Sequence, residues 1–201
     1  MLTIHADSRG RALAVQGAWI ADAGQLADLV ALHPRARVRE WPGILTPGLI
    51  NLHGNELLEE AYHPDPREAD ELGTEPLTGA ALAALPMDDA RWAASARRGL
   101  QRMLAHGTVR VACEELRNRA VRDAVHRSGV APMGRIGRPG GTPALDPYGS
   151  GLPVEFAAPR ERHSSARFAV FEVRDEAELA ERGAGTCVAT VAEGRLVYRR
   201  R

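Results

Sequence analysis

Residues 45–56 read LTPGLINLHGNE, and this stretch decides how the chain is built. The Pro47-Gly48 pair marks a turn. Leu49, Ile50 and Leu52 then form a compact apolar run of strand length. Polar groups gather directly behind it, with Asn51, His53, Asn55 and Glu56 in quick succession. A short buried strand with polar side chains at its C-terminal end is what a parallel α/β sheet produces, and ligands bind beyond such strand ends.

The sequence downstream supports that reading. Trp92, Ala96, Leu100, Met103 and Leu104 recur at the three- and four-residue spacing of an amphipathic helix, with Asp88 or Asp89 placed as its N-cap. His106-Gly107 stops this helix, and residues 108–113 (TVRVAC) form a strand. A second short helix follows over residues 118–126 and closes at Ser128-Gly129. The order strand, helix, strand, helix predicts two parallel strands with a right-handed crossover. Residues 64–79, rich in proline, glycine and acid, read as a loop, and residues 132–153 as a Gly/Pro-rich linker.

Both ends of the chain are patterned for β structure. Residues 12–20 give two short strands around Gly17, residues 21–24 a turn, and residues 23–32 a short helix. Residues 37–41 alternate with period two. Near the other end, residues 167–173 and 186–191 read as strands, 192–195 as a hairpin turn and 196–199 as the last strand.

Composition removes several function classes. The 201 residues carry 26 basic and 26 acidic groups, a formal charge of zero, so no nucleic-acid footprint is expected. The arginines at 199–201 read as a solvated tail. No window reaches the roughly 18 apolar residues of a membrane span, and the first residues lack the pattern of a signal peptide. The expectation is a cytoplasmic protein with Cys113 and Cys187 reduced. There is no lysine at all, which excludes Schiff-base chemistry, a lysine base and a carboxylated-lysine metal bridge.

Three motifs, the last of them in two stretches, together resemble the amidohydrolase superfamily, in particular its imidazolonepropionase and aminofutalosine-deaminase-like branch. Residues 45–53 (LTPGLINLH) look like the approach to the first barrel strand of that family. Residues 100–111 (LQRMLAHGTVRV) are similar to the helix and second strand, and residues 166–172 and 188–198 to the returning sandwich strands and closing hairpin. The resemblance implies an α/β fold: a β-sandwich composite domain from residues 1–47 and 152–201, with an incomplete (β/α) barrel over residues 48–151 that includes the linker at 132–151. A closed barrel takes about 250 residues, so two or three of its eight βα units are expected here.

The resemblance also implies chemistry. The first histidine of the family's His-x-His falls on His53, and the second falls on Asn55. It implies zinc or another divalent metal at His53, with Glu56, Glu114 or Glu115 moving protons during hydrolysis of a non-peptide carbon–nitrogen bond. The substrate would be a small cyclic or amine molecule. Glu114-Glu115 follow the second strand at the same end of the sheet as His53. Glu59, Glu60, His63 and Asp65 are further candidate ligands, although Pro64 and Pro66 oppose a continuous helix through them. The family's later ligands have no matching segment. Two readings therefore stand. One is a metal-dependent C–N hydrolase with a rebuilt site. The other is a binding or assembly module that has lost the metal, with a second copy of the chain covering the open barrel edge. Metal-free acid/base chemistry by His53 and Glu114 is a third. The run at 134–141 lacks the context of a phosphate loop and reads as a flexible linker, and Ser164-Ser165 beside His163 reads as a loop.

Overall fold

The computed structural model describes residues 1–157 and 162–200. The chain starts with β1 (Leu2–Ala6), β2 (Arg11–Gln16), β3 (Trp19–Gln25), α1 (Leu26–Leu32) and β4 (Arg37–Glu40). They form a sheet in the order β3-β2-β1-β4, with β4 parallel to β1. Alternation divides the side chains: Ile4, Ala12 and Ala14 pack with Leu29 of α1, while Leu13 and Val15 face the opposite way. The turn expected at 21–24 is instead the second half of β3, where Asp22, Ala23 and Gly24 pair with Ala14, Leu13 and Ala12. The partner strand overrides the turn-like composition of that tetrapeptide.

After β5 (Ile44–Pro47) the chain passes through Gly48 into β6 (Leu49–Asn51). A Cβ on Gly48 would fall 2.3 Å from Val109 Cγ2, so only glycine lets the two strands meet their different sheets here. Then come α2 (Gly54–Leu58) and β7 (Ala61–Tyr62). A turn of 3-10 helix (Pro66–Glu68) leads to α3 (Ala69–Leu72), β8 (Leu77–Thr78) and α4 (Gly79–Ala83). The expected loop at 64–79 is thus short helices and a strand that pairs with β7. Tyr62, Glu68 and Arg91 tie it to the next helix through Oη–Oε2 and Nη2–Oε1 bonds.

The long α5 (Asp89–Ala105) is N-capped by Asp88, which accepts from Arg91 N at 2.7 Å. It leads to β9 (Thr108–Cys113), α6 (Arg119–Ser128), β10 (Ala131–Gly134) and the two-residue β11 (Glu155–Phe156). The sheet order is β10-β9-β6-β11: the first three are parallel, and β11 runs antiparallel against β6. Leu100, Met103 and Leu104 of α5 and Val121 and Val125 of α6 cover one face of this sheet around Val111. Among the described residues no sheet closes into a barrel.

The chain ends with β12 (Phe168–Phe171), α7 (Glu176–Arg182), β13 (Cys187–Ala192) and β14 (Arg195–Arg199), in the sheet order β14-β13-β12-β5. Arg199 belongs to a strand rather than to a solvated tail, and Arg201 of that run lies outside the described residues. Leu45, Phe168, Val170 and Val191 pack on Leu13, Val15 and Ile20, so the two chain ends bury one core between two sheets. The opposite face of the second sheet packs Ala169 and Phe171 with Leu179 of α7.

One imidazole is sealed into the sandwich. His5 is 4% exposed, its Nδ1 accepts from Trp41 Nε1 at 3.2 Å, and its ring meets Phe168 edge-on. Burial, aided by the charge of Arg39, pushes its pKa down to about 4. Below the ordinary histidine value the unfolded chain takes up a proton that the folded chain refuses. Stability from this group is therefore complete above about pH 6.5 and is lost as pH falls towards 4, a swing of about 3 kcal/mol. Urea unfolding across pH 4–7 should show a smaller decline for His5→Gln than for the parent chain. Parallel curves would rule His5 out as the source.

Candidate functional site

Everything at the C-terminal end of the parallel sheet starts from β6. Asn51, 1% exposed, accepts from His53 N at 3.0 Å and donates from Nδ2 to Ala144 O at 2.8 Å. His53 turns inward at 2% exposure, and its Nε2 lies 3.0 Å from Gly140 O. A carbonyl only accepts, so Nε2 carries the ring proton and Nδ1 is left as the sole lone pair. His53 borders a small crevice with Asn51 and Pro147.

Gly54 then opens α2 against β9, where a Cβ would meet Ala112 O at 2.7 Å. This brings Asn55 and Glu56 across the strand ends. Asn55 Oδ1 accepts from Glu114 N at 2.8 Å and from Arg135 Nη2 at 3.1 Å, and its Nδ2 donates to Glu59 Oε2 at 3.3 Å. One amide thus joins α2, the end of β9 and the segment after β10. An imidazole could not accept twice and donate once in this way.

Glu56 is 7% exposed, and both its oxygens accept from Arg135 Nη2, at 2.8 and 2.9 Å. Arg135 is itself held by a bond from its N to Cys113 O at 3.0 Å, and its side chain is 9% exposed. Its Nε and Nη1 are buried with no acceptor among the described residues. Three residues on, Arg138 pairs with Glu60. Gly137 N donates to Glu114 Oε1 at 3.1 Å, and Asn118 N to Glu59 Oε1 at 2.7 Å. The run at 134–141 is therefore not a free linker. It folds back over the strand ends and sets its arginines on carboxylates.

The resulting cleft, about 600 Å³, is lined by Glu56, Glu59, Glu60, Glu114 and Glu115 together with Arg117, Arg135 and Arg138. Glu56, Glu114 and Glu115 share this cavity, Glu114 and Glu115 as exposed side chains at its rim. His53 does not share it. His63 and Asp65 lie elsewhere. His63 is 1% exposed with Nε2 2.8 Å from Leu57 O, and burial lowers its pKa, while Asp65 caps the 3-10 turn and pairs with Arg98. His106 closes α5 with Nδ1 2.8 Å from Arg102 O. Reading the run at 134–141 as a flexible linker, its two arginines at most anion binders, left out the pairing of Arg135 with Glu56 and of Arg138 with Glu60. Two arginines three apart, facing an acidic set at 56, 59 and 60, were the available signal.

A catalytic zinc needs about three protein ligands and an open fourth position. Here one imidazole is bonded to a carbonyl in a separate crevice, Asn55 offers an amide, and Glu56 is paired with a guanidinium. Among the described residues no three His, Cys, Asp or Glu side chains gather in a way that could hold a metal ion. The donor set does not fit a divalent cation.

No family model matches the chain, and no curated protein matches it. Among solved structures it is similar to A. niger ochratoxinase, with 17% identity and a TM-score of 0.44 over 66% of this chain and 31% of that one. It is similar to guanine deaminase from Bradyrhizobium japonicum, with 17% identity and a TM-score of 0.41 over 62% and 27%. An adenosine deaminase from Xanthomonas campestris with bound zinc shows 18% identity and a TM-score of 0.44 over 62% and 28%. The chain spans less than a third of the length of each.

The ion pair at the strand ends makes an expected stability pattern. Arg135→Met leaves Glu56 buried without a counter-charge and should cost about 3–5 kcal/mol in urea unfolding. Adding Glu56→Met should recover most of that loss, since two apolar side chains replace a costly buried pair. A double variant as unstable as the single one would show that Arg135 acts through other contacts.

Proposed function

We propose that this chain is an amidohydrolase-like protein, related to hydrolases of non-peptide carbon–nitrogen bonds, whose metal-dependent chemistry has been lost and whose strand-end cleft binds a small molecule. The motifs at 45–53, 100–111 and 188–198 support the ancestry. The observation that carries the loss is Arg135, whose guanidinium holds Glu56 and also Asn55, the residue that the resemblance aligns with the second ligand histidine. Both oxygens of the Glu56 carboxylate are taken up by the guanidinium, so its charge is already paired where a metal ion would need it.

The cleft itself favours a cationic ligand. Five carboxylates against three guanidiniums leave an acidic excess, with Glu114 and Glu115 exposed at the rim. A compact amine or amidine matches that charge and the roughly 600 Å³ available. Binding without turnover is the activity this geometry supports.

Metal analysis separates this reading from a working hydrolase. After incubation with zinc and dialysis, the protein should retain less than about a tenth of an equivalent, and His53→Ala should change nothing. Ammonia release from cyclic amidines and exocyclic amines should stay at the blank rate with or without added zinc. About one equivalent of tightly held metal, lost in His53→Ala, would overturn the proposal.

A further inference from the structure

Three arginines line a second cleft and a fourth stands beside it, with one acid, Glu193, among them. On β4, Arg37 and Arg39 sit opposite Thr3 and His5 of β1, all four on one face of the sheet. From the other sheet, β14 brings Arg195 and Arg199. The space between, about 530 Å³, is lined by Arg37, Arg39, Arg195, His5 and Glu193 among others. Arg199 joins the group through Trp41: the guanidinium carbons of Arg39 and Arg199 lie 5.4 and 5.9 Å from the indole centroid. Burial, followed by the fields of Arg37 and Arg199, lowers the pKa of Arg39.

The one acid on the rim is already engaged, since Glu193 Oε1 accepts from Arg167 Nη2 at 2.6 Å. Among the described residues none of the four arginines has an ion pair. Elsewhere arginines of this chain sit on carboxylates, as Arg11 does on Asp7, Arg98 on Asp65 and Arg135 on Glu56. In a chain with equal numbers of acids and bases, an unbalanced set of this size is a local choice.

Edge protection is the plain alternative. Strands β4 and β14 are edges of their sheets, and charged side chains discourage edge-to-edge pairing. That accounts for charge along each edge. It does not account for two edges of different sheets aiming their charges at one cavity, or for one indole beneath two guanidiniums. A guanidinium fork held on an aromatic face is pre-organised for bidentate bonds to phosphate oxygens.

We propose that the cleft between β4 and β14 is a binding site for a small, multiply charged phosphoryl anion, gripped by Arg37, Arg39, Arg195 and Arg199. The step is binding alone, with no bond made or broken. It is independent of the strand-end cleft, which carries the opposite charge excess.

Isothermal titration of the full chain with inorganic pyrophosphate, tripolyphosphate and ADP at 0.15 M salt tests this. Saturable one-to-one binding with a Kd below about 1 mM is expected. It should weaken at least tenfold in an Arg39→Gln/Arg195→Gln double variant, with the unfolding midpoint checked for each protein. ADP binding more tightly than pyrophosphate points to a nucleotide as the source of the anion, and equal affinity points to the phosphoryl group alone. An Arg174→Gln/Arg182→Gln variant removes the same charge outside the cleft. Absence of heat with all three ligands, or an equal loss in this control, overturns the proposal.

Discussion

A single buried guanidinium is shared by the parts of the parallel sheet that meet at its C-terminal end. Through Asn55 and Glu56 it touches the helix that follows β6, and through its own backbone it is bonded to the end of β9. Arg135 itself is the first residue after β10. Three parallel strands are too few to close on themselves, and this pair adds to the ladders and to the Asn55–Glu114 and Asn118–Glu59 bonds that fix their relative positions. Moving both charges out of water cancels much of their attraction. What the pair adds is one required arrangement, because any slip of a strand would leave a buried charge alone. The same arrangement engages both Glu56 oxygens, so this carboxylate serves the joint between the strands.

Periodicity made much of this fold legible. The apolar run at 49–52 and the spacing from Trp92 to Leu104 report which side of an element faces the core, and that is what burial imprints on a sequence. The parallel order of β6 and β9 followed from the helix between them. The site was less legible, because its bonds join distant residues: Arg135 and Glu56 are 79 positions apart. Such a bond leaves no repeating mark, and the glycines and prolines around Arg135 have the composition of a spacer. The turn-like residues 21–24 failed for a related reason, since pairing with β2 decided their conformation. Asn55 was legible as a departure from His-x-His. Its three hydrogen bonds were not.

The absence of lysine takes on structural meaning at several joints. Arg167, 8% exposed in its side chain, donates from Nη1 to Val109 O and Gly129 O and from Nη2 to Glu193. It thereby connects β9, the end of α6 and the last hairpin. Arg98 likewise spans His63 O, Asp65 and the Tyr62 hydroxyl. A planar fork with five donors can bind in several directions at once, whereas an ammonium is a compact point charge on a flexible stem. A chain with short strands and several small sheets gains most from connectors of that kind.

The two residues of β11 decide what the outer side of β6 presents. A bare strand edge offers its N–H and C=O groups to any other extended chain. Here β11 lies on the free side of β6, running the opposite way, and the chain reaches β12 of the sandwich soon afterwards. Both edges of the sheet are short, and the other, β10, contains Pro132, which lacks a hydrogen-bond donor. Two residues of main-chain pairing on one side and one proline on the other are thus enough to leave this small sheet with little free edge for a second chain to extend.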